Sequence, residues 1–250
     1  MRVYLAGAFG QWNRIMAYAA VQNVLLTFAD PAQWRRALRE LPKHPGRFHL
    51  MVDSGAFSIW ESGQKLAFTD WLQWIPTFAQ QVRPHVADLA LVGFDVIPKW
   101  TSTHPDLSAA RTAAEASYTN WRTAEDAGVR CIPTFHQYEP WDVLDRYVQG
   151  TDYVALSPRL KTTTPGALRW LREAWGHLAP TTRVHILGLA SRAVLVEFPA
   201  YSVDSRGYMR YALQGGDDSW SAMELGIEKT LRDEQRATAL WRLRGIEWSD

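Results

Sequence analysis

A chain of 250 residues, 47% hydrophobic and 21% charged, has the length and apolar content of one well-packed globular domain. Its formal net charge of +1 gives no global attraction to polyanions, so any nucleic-acid contact must come from a local patch. The single cysteine, Cys131, excludes an intrachain disulfide and a multi-thiolate zinc site, and no apolar run reaches the roughly 18 residues that span a bilayer.

Strand-like and helix-like runs then alternate along the chain. Residues 3–6 read as a strand, with Gly7 and Gly10 turning the chain. A short helix is expected over 15–21, then a strand over 23–28. Asp30 followed by Pro31 is a helix N-cap with proline at the first helical position, and an amphipathic helix runs on to the Pro42, Pro45 and Gly46 loop. The third strand is 49–53, ending on Asp53 before Ser54-Gly55. Thr69 caps the next helix, which Pro76 should kink if it lies beyond the first turn. Residues 89–95 form a fourth strand ending on Asp95, and 106–127 a long alanine-rich helix closed by Gly128. A fifth strand over 130–135 runs into His136 and Gln137. A helix over 141–147, a strand over 152–156, a helix over 168–178 and strands over 183–187 and 200–203 follow. A helix over 221–244 with i, i+4 charge pairs closes the pattern.

Eight strands with helices between them predict an α/β chain folded as a single (β/α)8 TIM-type barrel over 1–250, with a doubly wound open sheet as the structural rival. The opening MRVYLAGAFG lacks a secretory apolar core, so a cytoplasmic protein is expected. Most of the thirteen tryptophans, among them Trp34, Trp71, Trp121 and Trp170, fall in helical patterns and should pack in the core rather than stack on bases.

In a barrel, polar groups at the C-terminal strand ends converge on one mouth. Here they are Asp53, Asp95, His136, Gln137 and Asp204. A lone aspartate at such a place is commonly a cap or turn residue. Three gathered in one cleft repel one another, which calls for a reason. His185 lies within a strand and is expected to be a hydrogen-bonded core residue. The chain has no HExxH, no Cys/His cluster, no G-x-S-x-G elbow and no phosphate-binding glycine motif. What remains is carboxylate chemistry, with one aspartate as nucleophile and a second as acid and base.

Four motifs in order carry a family resemblance. DSGAFS at 53–58 resembles the Asp-Ser-Gly-Gly-Phe-Gln signature of tRNA-guanine transglycosylases. VGFDVIP at 92–98 resembles that family's strand ending in a base-reading aspartate, and FHQYEP at 135–140 the place of its base-reading glutamine. ILGLAS at 186–191, then YSVDS at 201–205, resembles its Met-Gly-x-Gly strand followed by the strand bearing the nucleophilic aspartate. Order and rough spacing agree over about residues 49–206. Ala56, the His136-Gln137 pair and SVDS are closer to the branch that inserts 7-deazaguanines into DNA.

The resemblance implies a base-exchange glycosyltransferase. Asp204 would attack C1′ of a nucleoside, guanine would leave, and a 7-deazaguanine such as preQ0 would take its place. Asp53 would move the base proton; Asp95 and Gln137 would read the purine edge, with Phe57 a stacking face and His136, Ser54, Gly188 and Arg206 around the substrate. Arg159, Lys161, Arg206 and Arg210 are candidate phosphate contacts. No metal, ATP or redox cofactor is implied. The family's zinc site of three Cys and one His cannot form here, its appended RNA-binding domain has no counterpart, and LSPRLK at 156–161 stands where it has a Gly-rich loop. These departures weigh against tRNA. The expected partners are therefore DNA before tRNA, the free 7-deazaguanine base, and proteins of a DNA-modification system. The alternatives are a tRNA-guanine transglycosylase, a nucleosidase or glycoside hydrolase on the same barrel, and a catalytically silent nucleic-acid-binding subunit.

Overall fold

The computed structural model describes residues 1–58, 63, 66–98, 106–158, 164–209 and 220–248. Among the described residues, eight strands alternate with eight helices of five residues or more: β1 Arg2–Ala6, α1 Trp12–Met16, β2 Asn23–Thr27, α2 Pro31–Glu40, β3 His49–Asp53, α3 Phe68–Val82, β4 Asp88–Leu91, α4 Leu107–Asp126, β5 Thr134–His136, α5 Trp141–Gly150, β6 Tyr153–Ser157, α6 Thr164–Trp175, β7 Arg183–Ile186, α7 Arg192–Glu197, β8 Ser202–Ser205 and α8 Trp220–Leu243.

All pairings are parallel, in the order β4-β3-β2-β1-β8-β7-β6-β5. Every strand pairs with its neighbour in sequence except β4 with β5, and the first strand pairs with the last. A doubly wound sheet reverses direction at a switch point and does not join its first strand to its last. The cyclic order therefore rejects that rival and is compatible with a (β/α)8 fold. The ladder of named strands is open between β4 and β5. One parallel bridge, Val92 with Ile132, spans that seam, with Ile132 N–H donating to Leu91 O at 2.8 Å and Gly93 N–H to Ile132 O at 2.9 Å.

The period of two along each strand sorts the core into two layers. Val3, Leu5, Leu50, Val52, Val184, Ile186 and Val203 pack outward against the helices. Tyr4, Ala6, Leu25, Met51, Val92, Ile132, Tyr153 and Ala155 pack together on the concave face, drawn from both sides of the seam. By the same parity Asp53, His185, Ser202 and Asp204 face the concave side. Trp71, Trp121, Trp170 and Trp241 are buried among the helices, as the helical patterning predicted.

Several boundaries differ from the sequence expectation. The first helix comes earlier, at Trp12–Met16. Thr69 is not a cap: α3 begins at Phe68, its N-cap is Ala67, and Asp70 bonds back to the Ala67 N–H. Pro76 sits well inside α3, with its ring toward solvent. The fourth strand stops at Leu91, so Asp95 lies in irregular chain beyond the strand end. Asp204 lies within β8, not after it. Asp30 is the predicted cap, accepting from Ala32 and Gln33 N–H. Among the described residues no helix is long and apolar enough to cross a membrane.

Candidate active site

Asp53 is the last residue of β3, paired with Thr27 of β2. The chain turns sharply after it. Gly55 has φ +80°, and a Cβ there would come within 2.5 Å of the Ala29 side chain, so only glycine fits. That turn lets Gly55 N–H donate to Asp53 Oδ2 at 3.2 Å. Burial, and then the charges of Asp95 and Asp204, push the Asp53 carboxyl up to about 7, against the hydrogen bonds from Gly55 and Thr27. Asp53 thus feels two aspartates, 42 and 151 residues further along the sequence, at one end of the sheet.

Asp95 is buried and held from two sides. Ser54 Oγ donates to Oδ1 at 2.8 Å, and His136 Nε2 meets Oδ2 at 2.7 Å. The imidazole is itself buried. Burial opposes its charge, but the hydrogen bond to Asp95 and the charges of Glu139 and Asp95 outweigh that and hold the His136 pKa above its ordinary value.

The loop after β5 brings in a carboxylate that the sequence reading missed. His136 to Glu139 forms a tight turn, Glu139 N–H donating to His136 O at 3.1 Å. Tyr138 takes a positive φ of 80°, a conformation that costs a non-glycine residue energy. Glu139 Oε2 accepts from the His136 N–H at 2.9 Å and so clamps the turn. Burial pushes its carboxyl up to about 7. Gln137 is buried in the same turn and borders a groove of about 590 Å³ that Tyr138, Trp141, Trp170 and Arg169 also line.

Asp204 sits on the concave face of β8, beside Tyr4 of β1. Gly188, in the left-handed region at φ +67°, aims its N–H at Asp204 Oδ1 at 2.6 Å, and His185 Nε2 meets the same oxygen at 3.3 Å. Oδ2 has no hydrogen-bond partner among the described residues, and the residue keeps a small exposed surface. One oxygen is fixed and the other is open. His185 is fully buried and hydrogen-bonded, as its in-strand position predicted.

The structure brings together Asp53, Ser54, Asp95, His136, Gly188 and Asp204, with Gln137 adjacent to His136. Phe57 is half-buried just beyond the Gly55 turn, and Arg206 is exposed after β8. Arg159, Lys161 and Arg210 lie outside the described residues. No group of three or more His, Cys, Asp or Glu among the described residues is arranged to hold a metal ion. A chain scan for signals would have found Glu139 only by noticing a glutamate three residues after a strand-end histidine. No protein-family model matches the chain, and no curated protein does.

Proposed function

We propose that the chain is a base-exchange glycosyltransferase acting on guanine in nucleic acid, DNA before tRNA, on a TIM-like (β/α)8 fold. The observation that carries this reading is Asp204, with Oδ1 held by Gly188 and His185 while Oδ2 is open at the mouth that Asp53 shares. A carboxylate oxygen that has no competing hydrogen bond is free to attack C1′, forming the Oδ2–C1′ bond as the C1′–N9 bond of guanine breaks. The N9 electron pair leaves with guanine and takes up a proton. The entering 7-deazaguanine attacks C1′ through its own N9, loses its proton, and expels Asp204. Two inversions give net retention.

Asp53 is the proton carrier in this scheme. A carboxyl at about 7 is half-protonated at neutral pH, so it can give a proton to the leaving base and accept one from the entering base. Asp95, already accepting from Ser54 and His136, keeps spare lone pairs for the donors of the purine edge. His136 then serves the purine through Asp95. A base held by these groups in DNA must be flipped out of the stack.

The test is covalent trapping. Wild type, Asp204→Asn and Asp53→Asn are incubated with guanine-containing DNA or tRNA and run on denaturing gels. The expected result is an adduct with wild type and none with Asp204→Asn. Exchange of labelled guanine should fall by several orders of magnitude in Asp204→Asn, and about 10²–10⁴-fold in Asp53→Asn. Release of guanine with no base incorporated would instead favour a hydrolase. An adduct that persists in Asp204→Asn would remove Asp204 from the role.

A further inference from the structure

Behind Asp204 a line of buried polar groups crosses the concave face. Tyr153 of β6 places its hydroxyl 2.7 Å from Ser202 Oγ of β8, and Ser202 Oγ lies 2.7 Å from His185 Nδ1 of β7. His185 Nε2 then meets Asp204 Oδ1. Strand register explains the contacts, because Ala155, His185 and Ser202 lie side by side across β6, β7 and β8. Ser202 and His185 have no exposed surface. Their neighbours on this face are apolar or aromatic, with Tyr4 meeting the His185 ring edge-on at a centroid distance of 6.2 Å.

An ionised carboxylate can only accept, so His185 Nε2 must carry the hydrogen that points at Asp204. Nδ1 of a neutral imidazole is then an acceptor, and the Ser202 hydroxyl must donate to it. The Ser202 oxygen in turn accepts from the Tyr153 phenol, which burial keeps protonated. Every donor in the line therefore points toward Asp204, and the tautomer of His185 is fixed from behind. A histidine bonded only to water would be free to present either nitrogen.

We infer that His185 is the positioning residue of the nucleophile: with its tautomer set by Ser202 and Tyr153, it holds Asp204 Oδ1 against Gly188 and thereby presents Oδ2 for attack. This rests on the function proposed above. His185 touches neither base nor sugar and acts through Asp204. Without it, the Gly188 N–H alone holds Oδ1, and a single bond leaves the carboxylate free to turn about it. Asp53, across the mouth, repels Asp204 and favours such turning. A nucleophile displaced by about 1 Å can cost on the order of 10²-fold in rate.

The experiment compares His185→Phe, His185→Gln and Tyr153→Phe with wild type. Glutamine places an amide N–H near the imidazole Nε2 position, whereas phenylalanine keeps bulk and removes the donor. The single-turnover rate of adduct formation should fall about 10–100-fold in His185→Phe, with nucleic-acid Kd unchanged. His185→Gln should recover most of the loss, and Tyr153→Phe should lose a few-fold. Crystal structures, which need no activity, should show Asp204 in one orientation in wild type and His185→Gln and in more than one in His185→Phe. Wild-type rate, or an unmoved Asp204, in a folded His185→Phe overturns the inference, as does a Gln variant no better than Phe. If His185→Phe does not fold, Tyr153→Phe and His185→Gln decide by the same measures. If wild type itself forms no adduct with any nucleic acid, the proposed function falls, and the orientation of Asp204 still decides the role of His185.

Discussion

Asp53→Asn should make the folded protein more stable at pH 8 than wild type, by an amount that shrinks as the pH falls. The Asp53 carboxyl stands at 3.8 in an unfolded chain and about 7 in the fold. Below 3.8 it is neutral in both states and costs nothing. As pH rises through this window the unfolded chain ionises first, so the folded state binds the extra proton and stability falls with pH. Above about 7 the carboxylate is charged in both states and the full penalty is present. At 1.36 kcal/mol per pH unit, the span from pH 5 to 7 corresponds to about 2.7 kcal/mol. The residue keeps some exposure and shares its charge with Asp95 and Asp204, which trims this to about 1–2 kcal/mol. Asparagine keeps an acceptor for the Gly55 N–H and carries no charge at any pH. For a chain of this size about 1 kcal/mol moves Tm by roughly 2–4 °C. The Tm advantage of Asp53→Asn over wild type should therefore be several degrees larger at pH 8 than at pH 5, read by circular dichroism melts in matched buffers. Glu139 and Glu234, also pushed up to about 7, are common to both proteins and cancel in the difference. An advantage of the same size at both pH values, or a uniform loss, would refute the charge-cluster argument.

Glu234 of α8 accepts from Val3 N–H at 3.0 Å and from the Asn23 amide at 2.7 Å, so Glu234→Ala should destabilise by about 2 kcal/mol or more through two orphaned donors. Glu234→Gln, which keeps the acceptor, should melt near wild type; urea titration separates the two. Gly226→Ala should lower Tm although it lies within a helix, because the added Cβ would sit 2.3 Å from Tyr208 O; a rise in Tm would contradict that packing. Asp204→Asn should melt within a few degrees of wild type while losing the covalent adduct on denaturing gels, and a loss of fold would make the two effects inseparable.

The sequence by itself carried the alternation of strands and helices, the Asp30 cap and the glycine turn after Asp53. These rest on short-range physics: a side-chain oxygen reaches the second and third amide nitrogens beyond it, as that of Asp30 does. Periodicity also placed His185 in the core correctly. It could not end the fourth strand at Leu91, because Val92 continues the apolar run and the ladder gives way at the seam to a single bridge with Ile132. Helix propensity makes Gly226 look like a weak point, and the approach of the Tyr208 backbone makes it a requirement. The strand-end aspartates were visible as residue types, but their partners were not. Ser54 and His136 reach Asp95 across 41 residues on either side, and Ser202 reaches His185 across 17. Such contacts depend on parallel register and on the curl of the sheet, which long-range packing sets and which leave no local trace in the order of residues.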